Sequence, residues 1–485
     1  MPFTFTMSPA DVELLMPEIL MTGLLSLILF LDFFFPRMGK TTLAWLSIAG
    51  MAGIFLLLAG YFVEGRHGTL FREMYVLDPM AIFFKAFILG TTILVFLASI
   101  DYLKKVPVFR GEYYFLGLLG ALGMMLMVSA NDLLSLFITL EFSTFSFYIL
   151  VAYLRDDPHS NEAGLKFFIL GVFAAGLLAF GISLIYGETG SILFTDFAKM
   201  HDHVTPGMVI GFLLIFIALG FKIGAVPFHA WVPDIYHGSP TPVTAFLSIA
   251  PKAATFAILL RIFMATVGDI KDDWVWLIVA ISAISMTYGN IVAIAQKNIK
   301  RLLAYSGIAQ IGNILIGLAA ASKMGGDSIL FYLLTYLFAN LGAFAVVIIF
   351  SNLTNSDDLE SYDGLSRRSP LLAFALLIFF LSLAGVPPLA GFIGKLYVFA
   401  AAMKEGLVAL VVIGGINIVI SMYYYLIVIK RVYINMPKEN TPIPVSFPMR
   451  LVLVTTVGGV LLLGIYPKAF IEISVAASEL FARML

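Results

Sequence analysis

Apolar stretches of about 20 residues recur along the whole chain, separated by short polar segments. Within each stretch the apolar residues are continuous and do not alternate with polar ones, which favours membrane-spanning helices over barrel strands. The pattern therefore predicts an all-α, polytopic membrane protein. We expect about fourteen spans, at residues 14–31, 41–62, 80–100, 113–130, 133–153, 166–186, 208–231, 241–261, 274–295, 302–321, 329–350, 371–403, 407–429 and 451–466.

Two of these spans contain helix-breaking residues. Span 7 carries Gly224 and Pro227 in its second half, and span 12 is too long for one simple span and contains GVPPLAGFIG from Gly385 onward. Proline removes a helix donor, and broken helices at membrane depth occur where backbone lines a cavity or is buried in protein. Corresponding breaks in two halves indicate an inverted repeat with its site at the break. We therefore expect spans 4–8 and 9–13 to form two inverted five-helix repeats.

This symmetry divides the chain into four segments. They are an N-terminal three-helix segment at 1–110, a first five-helix repeat at 111–262, a second repeat at 263–432, and a last span with its tail at 433–485.

Basic residues are distributed unequally among the loops. Odd-numbered loops hold pairs such as Lys104–Lys105 and Arg367–Arg368, whereas even-numbered loops hold isolated residues such as Arg66. By the positive-inside rule the odd loops are cytoplasmic, and both termini face the opposite, periplasmic side. The N-terminus lacks the basic region of a signal peptide, so we take it as mature sequence.

The composition excludes several classes of function. The 485 residues are 61% hydrophobic and 12% charged, with a net charge of −1, and no basic stripe indicates nucleic-acid binding. The chain has no cysteine, so it cannot hold cysteine-ligated iron–sulfur clusters, zinc–thiolate sites or disulfides. No glycine-rich loop follows a strand, and we expect no cofactor and no metal in this chain.

Four charged residues nevertheless lie deep within predicted spans, namely Glu141, Lys222, Lys252 and Lys395. A charge at the centre of a membrane helix costs about 2.5–3.5 kcal/mol, and such residues mark ion or proton pathways. Lys222 precedes the break in span 7, Lys252 follows Pro251, and Lys395 follows the break in span 12. We therefore interpret the four as a series of titratable groups that moves a proton or cation.

Glu141 and Lys222 are expected to act as a pair. Hydroxyl residues such as Ser143 and Thr144 follow Glu141 and could keep its carboxylate ionisable. Desolvation favours the neutral form of a lysine and a nearby carboxylate favours the charged form, so movement of Glu141 would switch Lys222. The alternatives are a static salt bridge between two helices and a lysine that snorkels to the interface.

Other polar residues have weaker signals. Lys166 begins span 6, where it could take part in the proton relay or snorkel to the interface. His229, seven residues beyond Lys222, could pass a proton onward or be satisfied at a helix end. Gln310 in span 10 cannot titrate and can at most order water. Lys85 lies near a helix end, where it could snorkel, and we interpret it as structural. Asp234 and His237, in the polar turn after span 7, are likewise interpreted as structural.

Three segments, 219–254, 298–312 and 382–399, resemble the antiporter-like membrane subunits of NADH-quinone oxidoreductase (respiratory complex I). They contain LGFKIGAVPFHAW, NIKRLLAYSGIAQIG and SLAGVPPLAGFIGKLYVF, and the resemblance covers essentially the whole chain. Lys395 after GVPPLAGFIG is similar to the N type, because the M type typically has glutamate there. The chain also stops after its fourteenth span, whereas the L type continues into a lateral helix.

This resemblance implies a proton half-channel built around Glu141 and Lys222, with Lys252 as the central lysine and Lys395 on the exit side. The family often has a histidine in span 10 where this chain has Gln310, so the link between the last two lysines would rest more on bound water.

The resemblance also implies partners and a location. NAD, FMN, iron–sulfur clusters and quinone would be held by partner subunits, and the neighbours would be the M-type and the small K-type membrane subunits. The chain would lie in the lipid bilayer of a bacterial inner membrane.

Two other functions remain open from the sequence. The same fold occurs in multisubunit cation/proton antiporters and membrane-bound hydrogenases, which would use the same lysines in another machine. Alternatively, the chain is a structural scaffold of a membrane arm without its own ion path, in which case the buried charges would form dry, fully paired bridges. Lysine as the carrier favours protons as the transported ion.

Overall fold

The computed structural model describes residues 8–106, 111–197, 205–265, 271–437, 439 and 441–479, and the fold is almost entirely helical. One antiparallel hairpin pairs β1 (Gly68–Leu70) with β2 (Tyr75–Leu77). The helices are α1 (Pro9–Leu14), α2 (Met16–Phe34), α3 (Lys40–Glu64), α4 (Pro79–Leu103), α5 (Glu112–Val128), α6 (Leu133–Val151), α7 (Pro158–Thr189), α8 (Phe194–Phe197), α9 (Pro206–Ile223), α10 (Trp231–Gly238), α11 (Thr241–Leu247), α12 (Ala250–Ala265), α13 (Lys271–Ile294), α14 (Ile299–Ala319), α15 (Lys323–Thr354), α16 (Leu365–Arg368), α17 (Pro370–Ala384), α18 (Ala390–Lys404), α19 (Val408–Tyr433), α20 (Phe447–Ile465) and α21 (Pro467–Ala477), with a 3₁₀ turn at Leu359–Tyr362.

The protein is a multi-pass membrane protein. Within the described residues, 12 helices are long and apolar enough to cross a membrane. The shorter apolar helices α5 and α17 coincide with predicted span 4 and the first half of predicted span 12. The all-α membrane class is therefore confirmed, whereas the count of fourteen spans and the four-segment division remain predictions. Both chain termini lie outside the described residues.

Both predicted helix breaks are present. α9 ends at Ile223 and Gly224 follows with φ +74°, and α17 ends at Ala384 and Gly385 follows with φ +90°. This left-handed backbone is readily adopted only by glycine, which lets each helix stop within the membrane. Helix resumes at Trp231 after the first break and at Ala390 after the second.

The helices that carry the buried polar residues form the centre of the molecule. Over the most apolar stretch of α14, and of the span formed by α11 and α12, 94% of the residues are buried. The buried share is only 22% for the span formed by α1 and α2 and 28% for α7. The outer helices therefore expose apolar faces of the kind that lipid or other subunits cover. The inner helices keep Lys252 and Gln310 away from lipid.

Loop contacts agree with the alternating topology. Loops expected on the outer side contact each other through the backbone bridges Tyr75–Ala130 and Asp132–Leu193. On the opposite side, Asn298 bridges Asp358, both in odd-numbered loops. These contacts support the relative sidedness of the loops.

Some elements differ from the sequence prediction. The hairpin β1–β2 and the terminal helix α21 were not predicted, because both are too short to give a membrane-span signal. α7 begins at Pro158 and not at residue 166, because the Asp157 carboxylate accepts a hydrogen bond of 3.0 Å from the His159 N–H and Pro158 suits the first helical position.

Candidate functional site

Glu141 and Lys222 form an ion pair between α6 and α9. Lys222 Nζ lies 3.3 Å from Glu141 Oε1 and donates a 3.1 Å hydrogen bond to Thr144 Oγ1, one turn along α6. The side chains of Lys222 and Glu141 are 10% and 13% exposed. The structure thus brings together the two residues that the sequence paired, and it places one of the expected hydroxyls against the ammonium.

A cavity of about 30 Å³ lies beside Lys222. One water molecule needs roughly 10–15 Å³ of such space and several polar partners, so this cavity has room for one or two. Its polar lining comes from Lys222, Ser143, Thr144 and Thr255, and Pro251 also lines it. Pro251 and Thr255 belong to α12, so the cavity extends from the ion pair to the helix that carries Lys252.

Lys252 is buried without a hydrogen-bond partner. The residue is 1% exposed, and among the described atoms nothing accepts a hydrogen bond from its Nζ. The Nζ lies 5.7 Å from the centre of the Tyr236 ring, within cation–π range. Gly307 of α14 lies beside it, because a Cβ there would be in ordinary contact with the Nζ at 3.6 Å and would crowd Tyr336 Oη at 3.1 Å. Within the described part of the chain, the hydroxyls of Tyr236 and Tyr336 also have no hydrogen-bond partner.

Lys395 is held by the second helix break. Its Nζ donates hydrogen bonds of 2.9 Å to Leu383 O and 3.0 Å to Ala384 O, the last carbonyls of α17. A helix C-terminus leaves such carbonyls without partners and carries a partial negative charge, so it attracts a cation. The break thus places a polar group beside a lysine that is 3% exposed.

Gln310 reaches the same break from α14. Its Nε2 donates a 2.8 Å hydrogen bond to Leu383 O, and its Oε1 accepts a 2.5 Å hydrogen bond from the hydroxyl of Tyr332. Leu383 O therefore accepts from both Gln310 and Lys395. From the sequence, Gln310 was expected at most to order water, because nothing in a span pattern shows that a tyrosine hydroxyl and a backbone carbonyl would lie beside it.

Lys166 and His229, the weaker candidates, make their contacts away from the three buried lysines. Lys166 is half-exposed and forms salt bridges of 2.8 Å with Glu162 and 3.0 Å with Asp234, which also pairs with Arg301 at 3.0 Å. Burial raises the pKa of Asp234, but its bonds to Lys166 and Arg301 outweigh this and hold the pKa below its usual range. His229 is half-buried with its ring 4.6 Å from that of Tyr288. None of these described contacts joins Lys166 or His229 to the three buried lysines.

Lys85 does not snorkel, so that part of the sequence interpretation is wrong. Its side chain is fully buried, its Nζ lies 2.6 Å from Glu18 Oε1 and donates a 2.9 Å hydrogen bond to Tyr75 Oη. The hairpin β1–β2 carries Tyr75 over this end of α4 and closes the route to the interface, which a span pattern does not reveal. Lys85 is fully paired, in agreement with a structural role.

The four candidates differ in how their charges are compensated. Glu141 and Lys222 neutralise each other, Lys252 faces aromatic rings and hydroxyls, and Lys395 faces backbone carbonyls. Such groups can exchange protons with water, but they are not a metal site. In the part of the chain that the structure describes, no cluster of three or more His, Cys, Asp or Glu side chains could hold a metal ion.

Comparison with known sequences identifies relatives of this chain. Residues 130–421 match the family described as NADH:quinone oxidoreductase/Mrp antiporter, transmembrane. The chain is 44% identical over 440 residues to NADH-quinone oxidoreductase subunit N of Heliobacterium modesticaldum, covering 90% of this chain and 93% of that protein. A relative of the same name from Trichlorobacter lovleyi is 40% identical and covers 97% of both chains.

Solved structures contain the same fold. A chain of respiratory complex I from Thermus thermophilus with bound aureothin is 31% identical, with a TM-score of 0.81 over 94% of this chain and 98% of that chain. A chain of the Mrp complex from a Dietzia species has a TM-score of 0.85 at 21% identity, covering 96% and 97%. At that identity the second likeness concerns the fold alone.

Proposed function

The chain belongs to the NADH:quinone oxidoreductase/Mrp antiporter family of transmembrane subunits, and from that premise we propose that it is a proton-translocating membrane-arm subunit of NADH-quinone oxidoreductase. The subunit contributes no redox centre. Electron transfer to quinone in partner subunits supplies the free energy, and this chain supplies a route for the proton.

One observation carries this proposal, namely that buried lysines without static carboxylate partners follow one another along the centre of the molecule. Lys252 and Lys395 are 1% and 3% exposed, and neither pairs with a described carboxylate. A buried lysine in such a site exists readily in the neutral form and can therefore accept and release a proton.

The proton follows the order Lys222, Lys252, Lys395. While Glu141 lies within 3.3 Å, its carboxylate stabilises the ammonium of Lys222. When Glu141 withdraws, that ammonium loses its compensating charge and releases a proton into the cavity beside Pro251 and Thr255. Lys252 accepts the proton, and bound water near Tyr336 carries it onward to Lys395.

Gln310 has a positioning role in this scheme. It cannot titrate, but it holds Leu383 O together with Lys395, so it fixes the environment of the last lysine without carrying the proton itself. Transfer past Gln310 therefore depends on water and tyrosine hydroxyls.

Two observations weigh against the other functions considered. A scaffold with dry, fully paired charges does not account for Lys252, whose Nζ has no partner among the described atoms. The likeness to a chain of the Mrp complex is 21% identical and concerns the fold alone, whereas the relatives at 38–44% identity are named as oxidoreductase subunits.

The same premise suggests partners and a location. We expect other membrane-arm subunits, including the M-type and K-type chains, to cover part of the exposed apolar surface. We place the chain in a bacterial inner membrane with both termini on the periplasmic side, on the basis of the basic odd-numbered loops.

The test uses the whole complex reconstituted in lipid vesicles, with quinone reduction and proton translocation measured in the same sample. Lys222→Ala and Lys395→Ala are each expected to lower the number of protons moved per electron. Lys404→Ala is the matched control, because Lys404 lies exposed in the last turn of the helix that carries Lys395. If both buried-site variants translocate protons as well as the control at unchanged electron transfer, the proposal is wrong.

A further inference from the structure

A line of buried polar side chains runs from the cytoplasmic end of α11 to Lys252. Thr244, Ser248 and Lys252 lie four residues apart, so they share one face of the nearly continuous span α11–α12. We call the following residues the polar strip, each at most 1% exposed: Ser239, Thr244, Ser248 and Asn340.

Hydrogen bonds join the members of the polar strip in pairs. The hydroxyls of Ser239 and Thr244 are 2.7 Å apart, and Asn340 Nδ2 donates a 2.7 Å hydrogen bond to Ser248 Oγ. Asn340 lies one turn from Tyr336 on α15, and the unpartnered Tyr336 hydroxyl stands beside Gly307 and Lys252. From Thr244 to Lys252 the strip covers about 12 Å along the helix.

The cytoplasmic end of the strip is closed by an ion pair. Lys300 Nζ lies 3.2 Å from Asp357 Oδ2 and donates a 3.3 Å hydrogen bond to the backbone oxygen of Ser239. Side-chain exposure falls from 22% at Asp357 to 7% at Lys300. The ion pair therefore stands between solvent and the first hydroxyl of the strip.

We propose that the polar strip is a second proton entrance, which loads Lys252 from the cytoplasmic face without passing through Lys222, and that the Lys300–Asp357 pair gates it. This inference rests on the proposed function, because it assumes that Lys252 carries the translocated proton. The proton enters from cytoplasmic water at the mouth, passes by hydroxyl groups and bridging water, and converts neutral Lys252 into its ammonium form.

The chemistry of the strip suits this role. A hydroxyl is both a donor and an acceptor, so Ser and Thr can hand a proton on, and successive members one turn apart are about 5–6 Å apart, a gap that one water bridges. An ammonium at the mouth repels an incoming proton unless a carboxylate neutralises it, so the separation of Lys300 from Asp357 sets the barrier. A purely structural network would not need to end at an unpartnered lysine.

The experiment compares variants of the complete reconstituted complex by the number of protons moved per electron. The combined change Thr244→Val with Ser248→Ala removes both hydroxyls with little change in volume. It is expected to lower that number, but by less than Lys252→Ala does, because the route through Lys222 remains open. The conservative combination Thr244→Ser with Ser248→Thr keeps the hydroxyls and is expected to translocate protons normally.

Ser328→Ala is the matched control for Ser248→Ala. Both serines are fully buried, and each donates a 2.7 Å hydrogen bond to the carbonyl three residues earlier, but Ser328 lies near the opposite end of α15 from the strip's mouth. Asp357→Asn is a second variant at the partly exposed mouth, where it leaves Lys300 uncompensated. It is expected to lower proton translocation even if the double variant does not assemble.

The outcomes separate this inference from the proposed function. Reduced translocation in the strip variants, with normal translocation in Ser328→Ala and the hydroxyl-retaining combination, supports the entrance. Normal translocation in the strip variants and in Asp357→Asn, while Lys222→Ala is defective, overturns the entrance and leaves the proposed function intact. Normal translocation in all of them, Lys222→Ala included, overturns both.

Discussion

Gly385→Ala should impair the protein by displacing Lys395 as well as by straining the backbone. Gly385 has φ +90°, and a Cβ at this position would lie 3.0 Å from Lys395 Cδ and 3.3 Å from Lys395 Nζ. Carbon atoms in favourable contact are about 3.5–4.0 Å apart. The lysine must therefore move by several tenths of an ångström away from the carbonyls of Leu383 and Ala384.

The backbone strain and the displacement of Lys395 each lower the stability of the folded protein. The left-handed backbone costs a non-glycine residue about 1–2 kcal/mol. A hydrogen bond to a charged group contributes about 1.5–3 kcal/mol, and Lys395 makes two such bonds, at 2.9 and 3.0 Å. If the shift breaks one of these hydrogen bonds, Gly385→Ala lowers the free energy of unfolding by about 2.5–5 kcal/mol in total.

Gly406→Ala separates these contributions. Gly406 follows α18, has φ +76°, and a Cβ there would meet no atom within 4 Å, so this variant carries the backbone strain alone. Thermal inactivation of the purified complex and protons moved per electron are measured for both variants. Gly385→Ala should be the less stable of the two and should alone lose proton translocation. Equal stability and equal translocation would refute the view that the break positions Lys395.

Three further predictions concern buried and exposed polar groups. Lys252→Met should abolish translocation yet leave thermal stability unchanged or higher, because it removes a buried amine that has no hydrogen-bond partner among the described atoms. Lys85→Met should destabilise the protein by about 3–5 kcal/mol, because it leaves the Glu18 carboxylate buried without its ion-pair partner. A Lys252→Met variant that is less stable than Lys85→Met would contradict both predictions. The stability that Asp234 contributes should be present at neutral pH and be lost as the pH falls through its lowered pKa, so the difference in thermal midpoint between the natural protein and Asp234→Asn should vanish in acid.

The sequence predicted the helical membrane class, both breaks and the pairing of Glu141 with Lys222, because each leaves a local signal. Apolar run length marks a span, glycine and proline mark a break, and a charge within an apolar run marks a buried site. The cap at Asp157 and the hairpin over Lys85 were missed, because turn chemistry and tertiary cover are not visible in hydropathy.

The contacts of Gln310 and Lys395 could not be predicted, because both bind backbone oxygen. A carbonyl has no residue-type signature, and whether Leu383 O is free depends on where α17 ends and how α14 lies against it. A similar limit applies to Lys252, since the groups beside its Nζ, Gly307 and the Tyr236 ring, lie on other helices.

The two helix breaks differ in whether the neighbouring lysine binds the carbonyls at the helix end. At the first break Phe221 O accepts hydrogen bonds of 3.0 Å from the Gly224 N–H and 2.8 Å from Trp231 Nε1, and Lys222 remains available to Glu141 on another helix. At the second break the freed carbonyls are taken by Lys395 itself, and Gln310 shares one of them. Movement of α6 can thus change the charge state of Lys222 without disturbing its own break. The charge state of Lys395 instead depends on the geometry of its break, and any displacement of Leu383 reaches Gln310 and Lys395 together.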